Sequence, residues 1–202
     1  MDLTSKNRRR GFSLIELMIT MALILIMAAM LAGRGSGSRQ NRDLAKCEKN
    51  LQSIFTALTI YSSDNAGRYP FVSNAKTSEE PLSLLVPRST TVTEMFICPG
   101  TKDSRLPEAE PFAKRRISYA YYMGWNKNAP DLAPLVSDRQ VNPQPKRVGD
   151  KLFSGDGKDP GGNHHKYGGN VLFNSGEIQT SGTNVTIDLL FPTNVVFLNP
   201  KS

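Results

Sequence analysis

Arg8-Arg9-Arg10-Gly11-Phe12-Ser13-Leu14-Ile15-Glu16 leads into an apolar run that ends near Ala32, and the reading of this stretch decides the fold. From Phe12 to Ala32 the chain holds 21 residues with one charge, Glu16. A helix of that length, rising about 1.5 Å per residue, covers the ~30 Å hydrocarbon core of a bilayer. The segment is therefore predicted to be a transmembrane stem. An acid one turn into such a rod costs about 2.5–3.5 kcal/mol on insertion scales and calls for a cation beside it. A secretory signal would have a shorter apolar region and small residues before its cleavage point, whereas Met30-Leu31-Ala32 places a large residue there.

Basic residues, then Gly11, then Phe12, then an apolar helix with Glu16 at the fifth place after the glycine: this pattern resembles the class III signal of type IV pilins and of the pseudopilins of type II secretion. The resemblance implies cleavage after Gly11 by a prepilin peptidase on the cytoplasmic face and N-methylation of Phe12. It also implies that Glu16 is neutralised by the freed amino terminus of a neighbouring subunit. A buried carboxylate is tolerated when paired, and it selects a register when one placement alone pairs it. The partners implied are copies of this chain or other pilin-like subunits in a homo-oligomeric or mixed filament, the peptidase, a secretion or pilus assembly platform, and the bacterial inner membrane. The amino terminus would be cytoplasmic and the head periplasmic. Loop charge does not decide this orientation, because Lys6, Arg8, Arg9 and Arg10 on one side face Arg34, Arg39 and Arg42 on the other.

The chain is thus expected to comprise a leader (1–11), a stem (12–32), a Gly/Ser hinge (33–38) and an extracytoplasmic head (39–202). In the hinge, Gly33, Gly35 and Gly37 each disfavour helix by up to ~1 kcal/mol. Beyond it Leu44, Cys47, Leu51, Ile54, Phe55, Leu58 and Tyr61 recur at helical spacing and predict an amphipathic helix. Asn65, Ala66 and Gly67 end it, and Tyr69-Pro70 prevents restart. Residues 50–70 look like the second half of the long helix in pseudopilin-like proteins that carry a C-terminal His-x9-Asp-Gly motif. In that group a Cys-Pro like Cys98-Pro99 and a Ser-Tyr-x-Tyr strand like Ser118 to Tyr121 are common.

A short strand or extended segment is predicted at 95–99, and strands at 117–122 with Tyr119 and Tyr121 on one face, at 151–154, and in the hairpin 170–173/177–180 around Asn174-Ser175-Gly176. Further strands are expected at 185–191 and 195–198. Residues 126–150, with several prolines and little periodicity, read as a surface loop. The fold class is α+β and pilin-like: a long N-terminal helix, its first half transmembrane, packed on a small antiparallel sheet with long loops.

The net charge is +7. Four leader cations against Asp2 supply three of those units, which leaves an ordinary head with charges of both signs dispersed, and nucleic-acid binding is not expected. Cys47 and Cys98, in an oxidising compartment, can close a disulfide; two buried thiols are the alternative. The C-terminal motif of the resembled group maps onto His165, Ser175 and Gly176, with Ser175 where Asp usually stands. Asp156 and Asp159, near His164 and His165, could begin a calcium shell, but too few acids lie together for six to eight oxygens, and no cofactor is expected. Ser154, Asp156 and the two histidines offer the letters of a triad without a nucleophile elbow, so no catalytic residue is assigned. The remaining alternative to a filament subunit is a membrane-tethered binding module that is processed but never polymerises.

Overall fold

The computed structural model describes residues 13–32, 36–141, 149–158, 160–164, 166–184 and 191–201. The chain divides into two units, Met1–Arg39 and Gln40–Ser202. The first contains helix α1, Leu14–Ala32, whose polar residues are Glu16 and Thr20 alone. Its large apolar side chains from Leu14 to Met30 are 52–76 % exposed. A helix apolar on every side belongs in a core or a membrane rather than in water. No helix among the described residues is long and apolar enough to cross a membrane. By its rise per residue α1 extends slightly less than the ~30 Å of a hydrocarbon core.

Helix α2 runs Ser36–Asp64. It begins inside the stretch expected to be a hinge, at Ser36; residues 33–35 lie outside the described ones. At its other end the helix stops where the sequence predicts. Gly67 N–H donates to Ser62 O at 2.7 Å, with Ala66 and Gly67 at φ +54° and +78°. Cys47, Leu51, Ile54, Ala57 and Leu58, the buried stripe of α2, form one apolar cluster with Tyr119, Tyr121, Met123, Leu135, Val136, Leu172 and Leu198. Each fully buried aliphatic side chain here contributes about 1.5–3 kcal/mol.

That cluster covers one face of a five-stranded antiparallel sheet: β1 Tyr119–Met123, β2 Pro134–Asp138, β3 Gly169–Phe173, β4 Ile178–Ser181 and β5 Val196–Leu198, in the order β4-β3-β2-β1-β5. The fold is therefore α+β, a helix packed on an antiparallel sheet, as expected. Tyr119 and Tyr121 do share the helix-facing side. Ala120 and Tyr122 point the other way, into a second cluster with Phe197 and a partly buried Phe191. Leu152, Phe153, Val171 and Phe173 cover the rest of that second face.

Burial on both faces corrects one expectation. Residues 134–138, read as surface loop, form β2, the central strand, with every residue buried. A strand covered on both sides loses the polar-apolar alternation that would announce it, and Pro134 sits at its first position, where a missing N–H is tolerated. Residues 94–96 make a 3-10 turn that leads into extended Ile97, the second of the two forms expected for 95–99. Residues 151–154 form no strand, although Leu152 O accepts the Val141 N–H at 2.9 Å. Of the two expected late strands, 195–198 is β5, and 185–190 lies outside the described residues.

Candidate functional site

Ser13 and Glu16 define the start of α1. The Ser13 backbone N–H donates to Glu16 Oε2 at 2.9 Å, while Ser13 O accepts the Leu17 N–H. This is the reciprocal half of a capping box, in which an acid at the third helical position satisfies an orphan amide and also meets the positive end of the helix dipole. The sequence carried that signal as Ser-x-x-Glu, and only the acid's intermolecular role was read from it. Gly11 and Phe12, the expected cleavage and methylation positions, lie outside the described residues.

In the head, the helix stripe and the sheet bring distant polar groups together. Cys47 and Cys98 are joined in a disulfide, with Cα atoms 5.5 Å apart, that ties α2 to the segment before β1 across 51 residues of chain. Constraining a loop of that size restricts the unfolded chain by about 4 kcal/mol in the chain-entropy account. Against this disulfide packs His164, whose Nε2 stands 3.6 Å from Cys98 Sγ and 3.2 Å from Asp138 Oδ2, both partners fully buried. Asp138 is held in turn: Asn163 Nδ2 donates to Oδ1 at 3.1 Å and the Asn170 N–H to Oδ2 at 2.8 Å. Sequence reading placed the metal-type cluster in the turn around Asp156 and His164. Among the described residues the group that could hold a metal is Cys47, Cys98, Asp138 and His164.

The predicted turn residues serve other ends. Asp156 Oδ1 accepts from Ser154 Oγ at 2.6 Å and from the Lys158 N–H at 3.1 Å, and these bonds lower its pKa below the usual aspartate range, the serine bond first. Ser154 therefore faces Asp156 rather than a histidine. His164 makes no triad either. Cys98 and Asp138 meet the same nitrogen, Nε2, whereas Nδ1 has no hydrogen-bond partner among the described residues; a triad needs the two nitrogens to face opposite partners. Asp159 and His165 lie outside the described residues.

The hairpin carrying the other motif positions is built as expected. Gly176 N–H donates to Phe173 O and Phe173 N–H to Glu177 O, both at 2.9 Å, and Gly176 adopts φ +85°. Ser175 is exposed, and its Oγ accepts the Glu177 N–H at 3.2 Å. Asn174 anchors the tip, accepting from Tyr69 OH at 2.9 Å and donating to Ala129 O at 2.7 Å.

A second polar node gave no sequence signal. Asp103, with a side chain 2 % exposed, receives Arg116 Nε at 2.7 Å, Arg139 Nη2 at 3.2 Å and Ser118 Oγ at 2.7 Å. Beside it Lys102, Arg105, Arg115 and Arg116 line a shallow groove of about 340 Å³.

Residues 6–32 match the model of the prokaryotic N-terminal methylation motif. The apolar part of that match, from Leu14 on, is helix α1. The chain is similar to type II secretion system core protein G: 29 % identical over 89 residues to that of Dickeya chrysanthemi (44 % of this chain, 54 % of the relative), and 32 % over 80 residues to that of Klebsiella pneumoniae (40 % and 52 %). The likeness to core protein G of Vibrio cholerae serotype O1 is 26 % over 134 residues, covering 66 % of this chain and 84 % of the relative. The chain spans about half the length of the first two relatives. No solved structure matches it.

Proposed function

We propose that this chain is a pilin-like structural subunit of a type II secretion pseudopilus or related filament, cut after Gly11 by prepilin peptidase, methylated on Phe12, anchored in the inner membrane by residues 12–32 and polymerised through that stem. The observation that carries this reading is α1 itself, a helix apolar on all sides and bared along its length, with one acid in its first turn. Such a surface is stable only when lipid or the stems of other subunits cover it. The matched methylation motif and the likeness to core protein G support the same reading.

Glu16 then acts twice. In the single chain its carboxylate satisfies the Ser13 amide. In the filament it receives the methylated amine of the adjacent subunit, a charge-assisted contact stronger than a neutral hydrogen bond, and the one acid in the stem fixes the axial step between subunits. Chemistry on the chain is done by the peptidase, and the head is a packing and docking body without an active site of its own.

Mass spectrometry of the native amino terminus tests processing: a chain starting at methylated Phe12 with the stem retained is expected, and a chain starting at Met1 or lacking the stem overturns the reading. Polymerisation is tested by Glu16→Ala, which is expected to block assembly while leaving cleavage intact. Unimpaired function of that variant in secretion would favour the tethered, non-polymerising module instead.

A further inference from the structure

Four side chains from four parts of the head meet at one buried point. Cys47 comes from α2, Cys98 from the extended segment after the 3-10 turn at 94–96, Asp138 from the end of β2, and His164 from the turn before β3. All four are fully buried, and one ligand-type atom of each lies within 4.8 Å of the others. We propose that these residues form an either/or site: a disulfide when oxidised and, when reduced, a centre for one zinc-class divalent ion held by two thiolates, an imidazole and a carboxylate.

The distances suit that use. Tetrahedral zinc with its usual bond lengths sets sulfur and imidazole nitrogen about 3.5 Å apart, and nitrogen and carboxylate oxygen about 3.4 Å apart. Cys98 Sγ to His164 Nε2 is 3.6 Å, and His164 Nε2 to Asp138 Oδ2 is 3.2 Å. Two edges of the tetrahedron therefore already stand in the oxidised protein; parting of the two sulfurs, with adjustment of ligand atoms that all lie within 4.8 Å of one another, completes it.

An outer shell for the ligands is in place as well. Asp138 is oriented by the Asn163 amide and the Asn170 N–H, and Cys98 Sγ receives the Gly100 N–H at 3.4 Å. Bonds of this kind orient metal ligands and stabilise their anionic forms. Gly100 is required for the closure: a Cβ there would collide with the Asn163 carbonyl and crowd His164 Nδ1 at 3.1 Å. The chain thus presses the Cys98 loop directly onto the turn that carries His164.

The redox step balances with a dithiol as reductant. It delivers two electrons and two protons, the Cys47–Cys98 bond breaks into two thiols, and the dithiol closes to its own disulfide. Entry of the ion then displaces the two thiol protons to solvent, because thiolates rather than thiols are the ligands. Disulfide and ion exclude each other, since each needs both sulfurs.

The test uses the full chain in detergent, reduced with dithiothreitol, freed of it without oxygen, and titrated with zinc sulfate under native mass spectrometry. Cobalt(II) in a parallel titration reports ligand geometry by visible absorption. One ion per reduced chain, none on the oxidised chain, and the intense absorption of a tetrahedral cobalt–thiolate centre are expected. Asp138→Asn and His164→Gln are each expected to weaken binding about tenfold or more, as loss of a metal-site group does. Should those variants fail to fold, as judged by circular dichroism, Cys47→Ser carries the same comparison. Uptake by all folded variants equal to the reduced parent means that loose thiols suffice and overturns the proposal, as does no uptake by the reduced parent. If reduction unfolds the head, recovery of its near-ultraviolet dichroism on adding zinc supports the site, and failure to recover overturns it.

Discussion

Glu16 Oε2 lies 2.9 Å from the backbone nitrogen of Ser13, so the acid proposed to fix the filament register also caps the helix that carries it. The two roles separate by substitution. Glu16→Gln keeps an acceptor for the Ser13 amide but loses the charge; Glu16→Ala loses both. Both variants are expected to fail in assembly, read by crosslinking of stems or recovery of sheared filaments. Only Glu16→Ala is expected to fray the start of α1, at a cost of about 1 kcal/mol, read by amide exchange at residues 13–17.

Gly176 meets the ring of Phe55 on α2: a Cβ built on it would stand 2.8 Å from Phe55 Cε1, at a backbone φ of +85°. Gly176→Ala is therefore expected to destabilise the head by about 1–3 kcal/mol through strain and overpacking, measured by urea unfolding. Ser175→Asp, one residue earlier and exposed, is expected to change stability by less than about 0.5 kcal/mol, as surface substitutions do.

Asp103 holds Arg116 and Arg139 at once, and Arg139 with it is buried. Asp103→Ala is expected to destabilise the head by about 2 kcal/mol or more, because it removes the acceptor of both ion pairs and of the Ser118 hydroxyl at a buried position. Arg116→Ala, whose side chain is 41 % exposed, is expected to cost about 1 kcal/mol or less. The difference between the two variants in denaturant midpoint is the measurement.

Burial raises the pKa of Tyr119, Tyr121 and Tyr122 above the ordinary phenol value, with Asp138 adding to the effect at Tyr119. A group that titrates higher when folded contributes stability that is whole below its unfolded pKa, near 10, and is lost as pH rises beyond it. Spectrophotometric titration is expected to show these three phenols ionising together with unfolding, above the ordinary phenol range. Smooth ionisation of Tyr119, Tyr121 and Tyr122 near pH 10 in the folded protein would contradict it.

The α+β class was legible in the sequence because its defining signals are local. The apolar stripe from Cys47 to Leu58 and its stop at Asn65 to Gly67 follow from helical spacing and turn chemistry. The hairpin at Asn174 to Gly176 follows from a glycine where positive φ is needed. What escaped was non-local. Residues 134–138 hide as a strand because neither of their faces is wet, and the pairings of Asp138 with His164 and of Asp103 with Arg139 join residues 26 and 36 positions apart. Separations of that kind carry no periodic signature. The two cysteines could be matched by counting, but their polar neighbours could not.

β5 pairs with β1 through Tyr121 and Leu198, and Asn199 reaches both the Ser78 amide and the Gln140 amide. One edge of the sheet is thus supplied from near the far end of the chain. A polypeptide threaded outward stem first cannot finish this sheet until residues 196–199 have emerged, because a non-local pairing waits for both of its strands. On the proposed export, passage and completion of the head are timed events: during transit the β1 edge stays open, and the interval before the last strand arrives is when a chaperone would find it.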